Sequence, residues 1–285
     1  MRFDVVTIFP EMFHAIRHFG VTGRGLKQGL WELHCWNPRD FARRSNGRLD
    51  DRPFGGGPGM VMEAAPLKAC VEAIDAQSQR AHHRILLAPG GKAIAHCDVV
   101  RLCQLPAITL VAGRYEGVDQ RFTETMIDEV FCVGDLVVSG GELPAMMLID
   151  AMVRWIPGVL NAEDSASQDS FATGLLDHAH YTRPEVWSGR RVPEVLLGGD
   201  HRAIARWRRA NALLLTASMR PEMLRAARHK GLLTSDDERL LAGQENHLAV
   251  PQAAEVPNAA EAGQATASAG SDQAPEEARR SPSAA

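Results

Sequence analysis

Hydrophobic runs alternate with amphipathic segments through the first half of the chain, and each pattern predicts a different element. Residues 2–9 (RFDVVTIF) and 30–36 (LWELHCW) are short and rich in large apolar residues, which is typical of strands. Apolar residues recur at helical spacing in 65–79 (APLKACVEAIDAQSQ). Residues 10–20 (PEMFHAIRHFG) begin with a proline, which suits the first position of a helix.

A hydrophobic strand, a glycine-rich loop and a helical segment then follow one another three times. The strands are predicted at 84–88 (RILLA), 107–112 (AITLVA) and 130–133 (VFCV), and they precede loops containing PGG, GRYEG and SGGELP. This alternation predicts an α/β fold with a parallel sheet. Because the carboxyl ends of parallel strands share one edge of the sheet, we expect the three loops to line a single ligand-binding crevice.

The composition is that of a globular protein with a substantial core. The chain has 285 residues, 45% of them hydrophobic, and this length suits two domains. It has neither a signal-peptide pattern nor an apolar run of about 18 residues, so we expect a cytoplasmic protein with no membrane segment. Five scattered cysteines predict buried thiols rather than disulfides or a zinc knuckle.

Two segments of small and polar residues predict the domain boundaries. Residues 161–173 (NAEDSASQDSFAT) lie between apolar segments, as expected of an interdomain linker. Residues 249–285 are rich in Ala, Pro, Glu and Ser, which predicts a disordered tail. We therefore expect a first domain at 1–160 and a smaller, mainly helical domain at 174–248.

The net charge is −4, but basic residues concentrate in the second part of the chain. Residues 183–230 hold eleven Arg or Lys against four Asp or Glu, a local balance of +7. Arg202, Arg206 and Arg209 are spaced so that a helix, which Asp200 can cap, would place them in one stripe. This stripe is either a solvated helix face or a phosphate-binding surface whose affinity for nucleic acid falls with salt.

Common phosphate-binding motifs do not explain the glycine-rich loops. A P-loop requires GxxxxGK[ST], but here Gly91 and Lys92 are followed by Ala93, and Leu86 stands where the first glycine belongs. No GxGxxG fingerprint occurs in the strand–loop–helix context that a dinucleotide site needs. The loops carry several acidic residues, which suits a neutral or cationic ligand. Taken singly, each loop is also compatible with a simple tight turn.

Two histidine pairs raise the question of a metal site. His178 and His180 resemble a metal-binding pair, but no third ligand is spaced to join them, so we do not expect zinc. His14 and His18 share one helix face without the glutamate of an HExxH motif, which favours a structural role.

Several motifs together are similar to one protein family, the bacterial tRNA (guanine-N1)-methyltransferases, which methylate the guanine at anticodon-loop position 37. The likeness extends over about residues 1–245. It is carried by DDRPFGGGPGM (50–60), LVAGRYEGVDQR (110–121), VGDLVVSGGELPAM (133–146), IPGVL (156–160), QDSFATGLLDHAHYTRPEVW (168–187) and VPEVLLGGDHRAIARWR (192–208). The resemblance implies a SPOUT-type α/β fold, whose parallel sheet carries a C-terminal trefoil knot, and a small helical C-terminal domain.

The resemblance also implies a cofactor, a substrate and an assembly. S-adenosylmethionine would bind in the knot, tRNA would be the substrate, and two subunits of a homodimer would share the active site. Mg²⁺ is implied as well, although the sequence offers no separate ligand motif for it. The implied cofactor-binding residues are Leu86, Leu87, Ala88, Pro89, Gly90, Gly113, Tyr115, Glu116, Gly117, Val133, Gly134, Leu136, Val138, Ser139, Gly140, Gly141 and Pro144.

Methyl transfer to guanine N1 requires removal of a weakly acidic proton and stabilisation of negative charge on O6. By resemblance, Asp169 is the base and Arg154 stabilises the guanine anion. Asp50, Pro58 and Gly59 would contact the guanine, and Arg202, Arg206 and Arg209 would bind tRNA. A free aspartate is too weak a base to act alone, so the arginine must favour the anion over the neutral guanine.

Each assignment has an alternative that the sequence leaves open. Asp169 could cap a helix, and Arg154 could pair with Asp150 one helical turn away. A SPOUT enzyme acting on another RNA, or a non-catalytic RNA-binding protein of the same fold, would carry a similar pattern. LLAPGG at 86–91 and GDLVVSGGE at 134–142 replace the family's frequent YLSPQG and GDYVLSGGE, which is expected to alter cofactor affinity.

Overall fold

The computed structural model describes residues 1–42, 47–161 and 165–244. Within them, a five-stranded sheet is accompanied by two short hairpins. The strands are Arg2–Val6 (β1), Glu32–Trp36 (β2), Asp50–Asp51 (β3), Val61–Met62 (β4), His83–Ala93 (β5), Ala107–Ala112 (β6), Glu129–Cys132 (β7), Val186–Trp187 (β8) and Arg190–Arg191 (β9). The predicted tail at 249–285 lies outside the described residues.

The α-helices flank the sheet and make up most of the C-terminal part. They are His14–His18 (α1), Gly20–Lys27 (α2), Ala64–Gln77 (α3), His96–Leu102 (α4), Gln120–Met126 (α5), Glu142–Val153 (α6), Ser165–Gln168 (α7), His201–Met219 (α8), Pro221–His229 (α9) and Ser235–Gln244 (α10). Short 3-10 turns occur at Pro10–Phe13, Pro38–Phe41 and Glu194–Leu196.

The five-stranded sheet is parallel throughout, with the strand order β2-β1-β6-β5-β7. Val5 of β1 lies opposite Cys35 on one side and Leu110 on the other. One hydrophobic core joins the sheet to α1, α4 and α6, and a second joins its other face to α3 and α5. The predicted α/β fold with a parallel sheet is therefore confirmed.

β5 continues through the loop that was expected to end it. Leu87 and Lys92 both lie opposite Phe131 of β7, so the register shifts across the PGG stretch. Gly91 permits this close approach, because a Cβ atom there would lie 2.6 Å from backbone atoms of Phe131.

The single helix predicted at 10–20 is wrong. Pro10–Phe13 forms a 3-10 turn, α1 follows it, and α2 begins at Gly20. Phe19 is extended between the two helices, with φ −120° and ψ 156°, and Gly20 adopts φ +65°. Apolar spacing predicts which residues are buried, but it does not reveal this change of chain direction.

The C-terminal helices have a hydrophobic core of their own. It is built from Leu175, Leu213, Leu224, Ala227 and Leu241. As expected, Asp200 caps α8, because its side chain accepts hydrogen bonds from the first backbone amides of that helix at 2.9 and 3.1 Å. The separate core favours a second domain, whose boundaries stay a prediction, and α7 lies within the predicted linker.

The expectation of buried thiols holds for only part of the cysteine set. All five cysteines are free. Burial raises the pKa of the Cys70 thiol to about 12 and that of the Cys103 thiol to about 11. Cys97, by contrast, is exposed, so the prediction is wrong for this residue.

Candidate functional site

A cleft of about 200 Å³ lies at the carboxyl ends of β5, β6 and β7, where the glycine-rich loops meet. Its place at the carboxyl edge of a parallel sheet is typical of ligand sites. Most of the predicted cofactor residues line the cleft: Leu86, Leu87, Ala88, Pro89, Gly113, Tyr115, Glu116, Gly117, Val133, Leu136, Val138, Ser139, Gly140, Gly141 and Pro144. The predicted residues Gly90 and Gly134 do not line it.

Five lining residues were not predicted. They are Arg114, Val118, Phe131, Cys132 and Val137. All of them lie in or beside the quoted motifs, so their position in the sequence was the signal that could have identified them. With these residues included, the cleft walls consist mainly of apolar side chains and loop backbone.

Within the glycine-rich loops, Gly141 lies close to neighbouring backbone and Tyr115 has an uncommon backbone conformation. A Cβ atom at Gly141 would lie 2.7 Å from the Cα atom of Ala112 and 3.0 Å from the backbone nitrogen of Gly113. Tyr115 adopts φ +60°, which is uncommon for a residue other than glycine. Such backbone outliers concentrate at ligand sites, where the surrounding structure holds them in place.

An ion pair connects two of the loops. Arg114 Nε of the GRYEG loop lies 2.8 Å from Glu142 Oε2, and Glu142 Oε1 accepts a hydrogen bond of 2.9 Å from the Thr7 hydroxyl. The side chain of Glu142 is completely buried, and that of Arg114 is 15% exposed. Arg114 also donates a hydrogen bond of 3.0 Å to the Ser139 carbonyl oxygen. This pair fixes the spacing of the GRYEG and SGGELP loops, and no pattern in the sequence predicted it.

The stretch DDRPFGGGPGM packs beside the GRYEG loop. β3 and β4 form an antiparallel hairpin, and the backbone amides of Glu116 and Met62 donate 2.9 Å hydrogen bonds to the carbonyl oxygens of Met60 and Gly117, respectively. Gly59 adopts φ +76°, and a Cβ atom there would overlap the Glu116 side chain. Gly59 therefore brings bare backbone against a wall of the cleft, whereas a Cβ atom at Gly55, Gly56 or Gly57 would meet nothing within 4 Å.

Asp50 and Pro58, which were predicted to contact the guanine, lie on the same hairpin segment. Asp50 is partly buried, and its carboxylate lies 3.4 Å from Arg48 Nε, whereas Pro58 is exposed. The roles of both residues stay predictions.

A second cavity contains both predicted catalytic residues. Arg154, at the C-terminal end of α6, forms an ion pair with Asp169, which follows α7. This contact, rather than the alternative with Asp150, is the ion pair that Arg154 makes within the described residues. Asp169 does not precede a described helix, which disfavours the N-cap interpretation. His96 also lines the cavity, and its buried Nε2 atom has no hydrogen-bond partner among the described residues.

Asp150, Ser170, Asp177, His178 and His180 also line the second cavity, and the last three form a cluster. Asp177 Oδ1 lies 2.6 Å from His178 Nδ1, and Asp177 Oδ2 lies 2.8 Å from His180 Nε2. Burial by itself raises the pKa of the Asp177 carboxyl, but hydrogen bonds from the two histidines outweigh it and lower that pKa. The expectation that no third ligand joins the histidine pair is therefore wrong.

The predicted arginine stripe divides into two kinds of residue. Arg202 and Arg206 are exposed on α8 and have no ion-pair partner in the part of the chain that the structure describes. Arg209 instead binds Asp237 of α10 at 2.9 Å and the Leu232 carbonyl oxygen at 3.3 Å. Arg209 therefore connects two C-terminal helices, whereas Arg202 and Arg206 are available to a ligand.

No helix within residues 1–42, 47–161 or 165–244 is both long and apolar enough to cross a membrane.

Together, these features define an α/β protein with a small-molecule cleft at the carboxyl edge of a parallel sheet and a separate charged cavity. Residues 1–226 match the family described as tRNA (Guanine-1)-methyltransferase TrmD. A Ralstonia nicotianae protein named tRNA (guanine-N(1)-)-methyltransferase is 53% identical over 243 residues, which cover 85% of this chain and 93% of the relative. A Bordetella parapertussis protein of the same name is 54% identical over 250 residues, 85% and 97% of the two chains. The chain therefore belongs to the TrmD family of tRNA (guanine-1)-methyltransferases.

Proposed function

We propose that the chain is an enzyme that transfers a methyl group from S-adenosylmethionine to N1 of the guanine at position 37 of the tRNA anticodon loop. The main support for this proposal is the cleft built by the GRYEG and SGGELP loops. Its lining residues all lie within the segment that matches the family, residues 1–226. The two relatives are named for this activity, and this chain aligns with 93% and 97% of their lengths. The SPOUT trefoil knot belongs to the proposal as the family's cofactor-binding topology.

The walls of the cleft suit S-adenosylmethionine. Leu86, Leu87 and Phe131 provide apolar surface for an adenine ring, and the loop backbone provides hydrogen-bonding groups. Among the described residues, Arg114 is the arginine that lines the cleft, and it pairs with Glu142, so it is not presented to a phosphate. When bound, S-adenosylmethionine supplies a methyl group on a positively charged sulphur, and Glu116 places a carboxylate in the same cleft.

The pair of Arg154 and Asp169 suits proton removal from guanine. In the proposed reaction, Asp169 accepts the N1 proton and Arg154 stabilises the negative charge that develops on O6. Because the two side chains pair with each other, the guanine must enter between them and take over both contacts. The unpartnered Nε2 atom of His96 in the same cavity supports a polar ligand there.

The separation of the two cavities supports a homodimer with shared active sites. No residue among those described lines both the cofactor cleft and the Arg154 cavity. Methyl donor and base must nevertheless meet, and a second copy of the chain can bring them together. Helix α6 contributes Pro144 to the cleft and Met147 to the other cavity, and it exposes 49% of Leu143 and 59% of Met147. An apolar surface at this place favours α6 as part of the contact between subunits.

The remaining assignments concern the RNA. We propose that residues 1–160 bind the cofactor, that 161–173 connect the domains, and that 174–248 bind tRNA. Arg202 and Arg206 would contact phosphates, with Arg209 supporting the helix that carries them. Asp50, Pro58 and Gly59 would contact the flipped guanine next to the cofactor loop.

Mg²⁺ remains part of the proposal through the family resemblance alone. This ion prefers oxygen ligands and retains several waters, so a carboxylate together with the substrate could hold it. The cluster of Asp177, His178 and His180 offers two imidazole nitrogens, which is a poor match for magnesium.

Two variants test the catalytic assignment. Asp169→Asn should abolish turnover while leaving S-adenosylmethionine binding, measured by calorimetry, nearly unchanged. Val138→Trp, at a cleft residue that is 36% exposed, should fill the cleft and abolish cofactor binding without repacking the core. Full activity of Asp169→Asn would contradict its role as the base.

Mixing these two variants tests the shared site. A dimer containing one subunit of each retains one site with an intact cleft and an intact Asp169, so the mixture should regain activity that neither variant has alone. Absence of any rescue, with mixed dimers verified by mass spectrometry, would contradict a site built from two subunits. Methylation that persists after guanine 37 is changed to adenine would favour another RNA position or another RNA.

A further inference from the structure

Asp177, His178 and His180 bring three ligand atoms together beside the Arg154–Asp169 pair. These atoms, one from each residue, all lie within 4.8 Å of one another. The centroids of the two imidazole rings lie 4.4 Å apart, and the ring planes are tilted by 49°. The three side chains line the same cavity as Asp169, so their ligand atoms are open to space rather than enclosed in the core.

The backbone that carries the three ligands is held by neighbouring side chains. The amide of Leu176 donates to Thr216 Oγ1 at 2.9 Å, that of Asp177 donates to Ser170 Oγ at 2.9 Å, and that of Ala179 donates to Asn211 Oδ1 at 2.7 Å. The His178 ring also contacts Trp207, with the centroids 6.2 Å apart. The backbone that carries the ligands and the His178 ring are therefore held by the fold before any ion binds, which lowers the ordering cost of binding.

We propose that Asp177, His178 and His180 form a binding site for a late first-row divalent metal ion, with Zn²⁺ or Co²⁺ as the chemical class. Two imidazole nitrogens and one carboxylate oxygen form a donor set that favours these ions over Mg²⁺. Metal–nitrogen distances of about 2.0–2.1 Å require only a small opening of the present hydrogen bonds, because the ion replaces the shared protons. The fourth position faces the cavity and is available to water.

The proposed metal site goes beyond the methyl-transfer activity. One of its expected effects, inhibition of methylation, rests on the proposed function. Since the ion would occupy the wall of the cavity that contains Asp169, its binding should inhibit methylation of tRNA. The binding itself does not depend on the proposed function and is measured without tRNA or S-adenosylmethionine. Failure of the metal site and failure of the methyl-transfer proposal are therefore distinguishable.

The test is a titration of the full chain, free of any affinity tag, with Co²⁺ followed by displacement with Zn²⁺. Visible absorption bands of the bound Co²⁺ should saturate at one ion per chain, and excess Mg²⁺ should not displace it. His178→Ala/His180→Ala should weaken binding by about tenfold or more, since two of three protein ligands are lost. Asp177→Asn, which keeps the shape of the side chain, should also weaken it.

The matched control is the other histidine pair, His14 and His18. Their rings lie 5.3 Å apart on exposed positions of α1, and within the described ranges neither has a carboxylate partner. His14→Ala/His18→Ala should therefore leave the affinity within about twofold. A near-ultraviolet thiolate charge-transfer band would place the ion at a cysteine instead and would overturn the proposal.

Equal Co²⁺ affinity in the wild type and in His178→Ala/His180→Ala would also overturn the site. Circular dichroism establishes that each variant is folded. If the double variant does not fold, His180→Gln replaces it, because the His180 side chain is 71% exposed and tolerates substitution. Unchanged affinity in this variant would count equally against the proposal.

Discussion

Replacing Arg114 by alanine should destabilise the protein and weaken cofactor binding together. The substitution leaves the Glu142 carboxylate without its cationic partner, and this side chain is completely buried. The Thr7 hydroxyl remains as a hydrogen-bond donor at 2.9 Å, but it carries no charge. The variant also lacks the contact between the Arg114 guanidinium and the Phe9 ring, whose centroid lies 4.5 Å from Cζ.

The expected loss of stability follows from the burial of this pair. Removing one partner of a buried ion pair costs about 3–5 kcal/mol, because an uncompensated charge stays in the interior. Arg114 is 15% exposed, so we expect about 3 kcal/mol, near the lower end of that range. Glu142→Gln keeps the shape and the Thr7 contact and should cost less, about 1–2 kcal/mol.

Urea unfolding measures the stability, and calorimetry measures S-adenosylmethionine affinity. Because Arg114 connects the GRYEG and SGGELP loops, the affinity should fall by about tenfold or more, which corresponds to about 1.4 kcal/mol. Arg121→Ala is the control: its pair with Asp119 has an arginine that is 75% exposed, so the substitution should change stability little. An Arg114→Ala protein within about 0.5 kcal/mol of the wild type, with unchanged affinity, would refute the reasoning.

The remaining predictions concern glycines and arginines. In unfolding experiments, Gly141→Ala should cost about 1–3 kcal/mol because its Cβ atom meets backbone, whereas Gly90→Ala, which meets nothing within 4 Å, should change little. Arg209→Ala should cost about 1–3 kcal/mol, because buried Asp237 loses its partner. The Arg209 hydrogen bond lowers the pKa of Asp237, so this stabilisation should be present above about pH 4 and disappear as the pH falls through the lowered pKa. Arg206→Ala should leave stability unchanged and reduce the salt dependence of tRNA binding by about one unit of slope, as filter binding at several salt concentrations would show.

Periodicity predicted the parallel sheet because each βα unit repeats the same local pattern. It did not predict details that depend on contacts between distant segments. β5 continues past PGG since Gly91 allows the backbone of β7 to approach it, and the chain turns at Phe19 within the segment predicted as one helix. At the start of the last helix, reciprocal hydrogen bonds of a capping box join Thr234 to Asp237.

The cofactor cleft follows largely from the sequence because its residues belong to continuous loops at one sheet edge. Arg114 and Glu142 were present in the quoted motifs, but their pairing spans 28 positions and no periodic pattern connects them. The ion pair of Arg209 with Asp237 likewise joins distant positions, so no sequence pattern predicted it. This pair gives Arg209, one member of the predicted phosphate stripe, a structural role. Asp177 was overlooked as a ligand because sequence spacing does not show that one carboxylate reaches two imidazoles.

Methyl transfer from labelled S-adenosylmethionine to unmodified tRNA, with the modified nucleotide mapped by mass spectrometry, tests the proposed function most directly. We expect one methyl group at N1 of guanine 37 and none on a transcript with adenine at that position. Equal incorporation into both transcripts, or a methyl group at another atom or nucleotide, would contradict it.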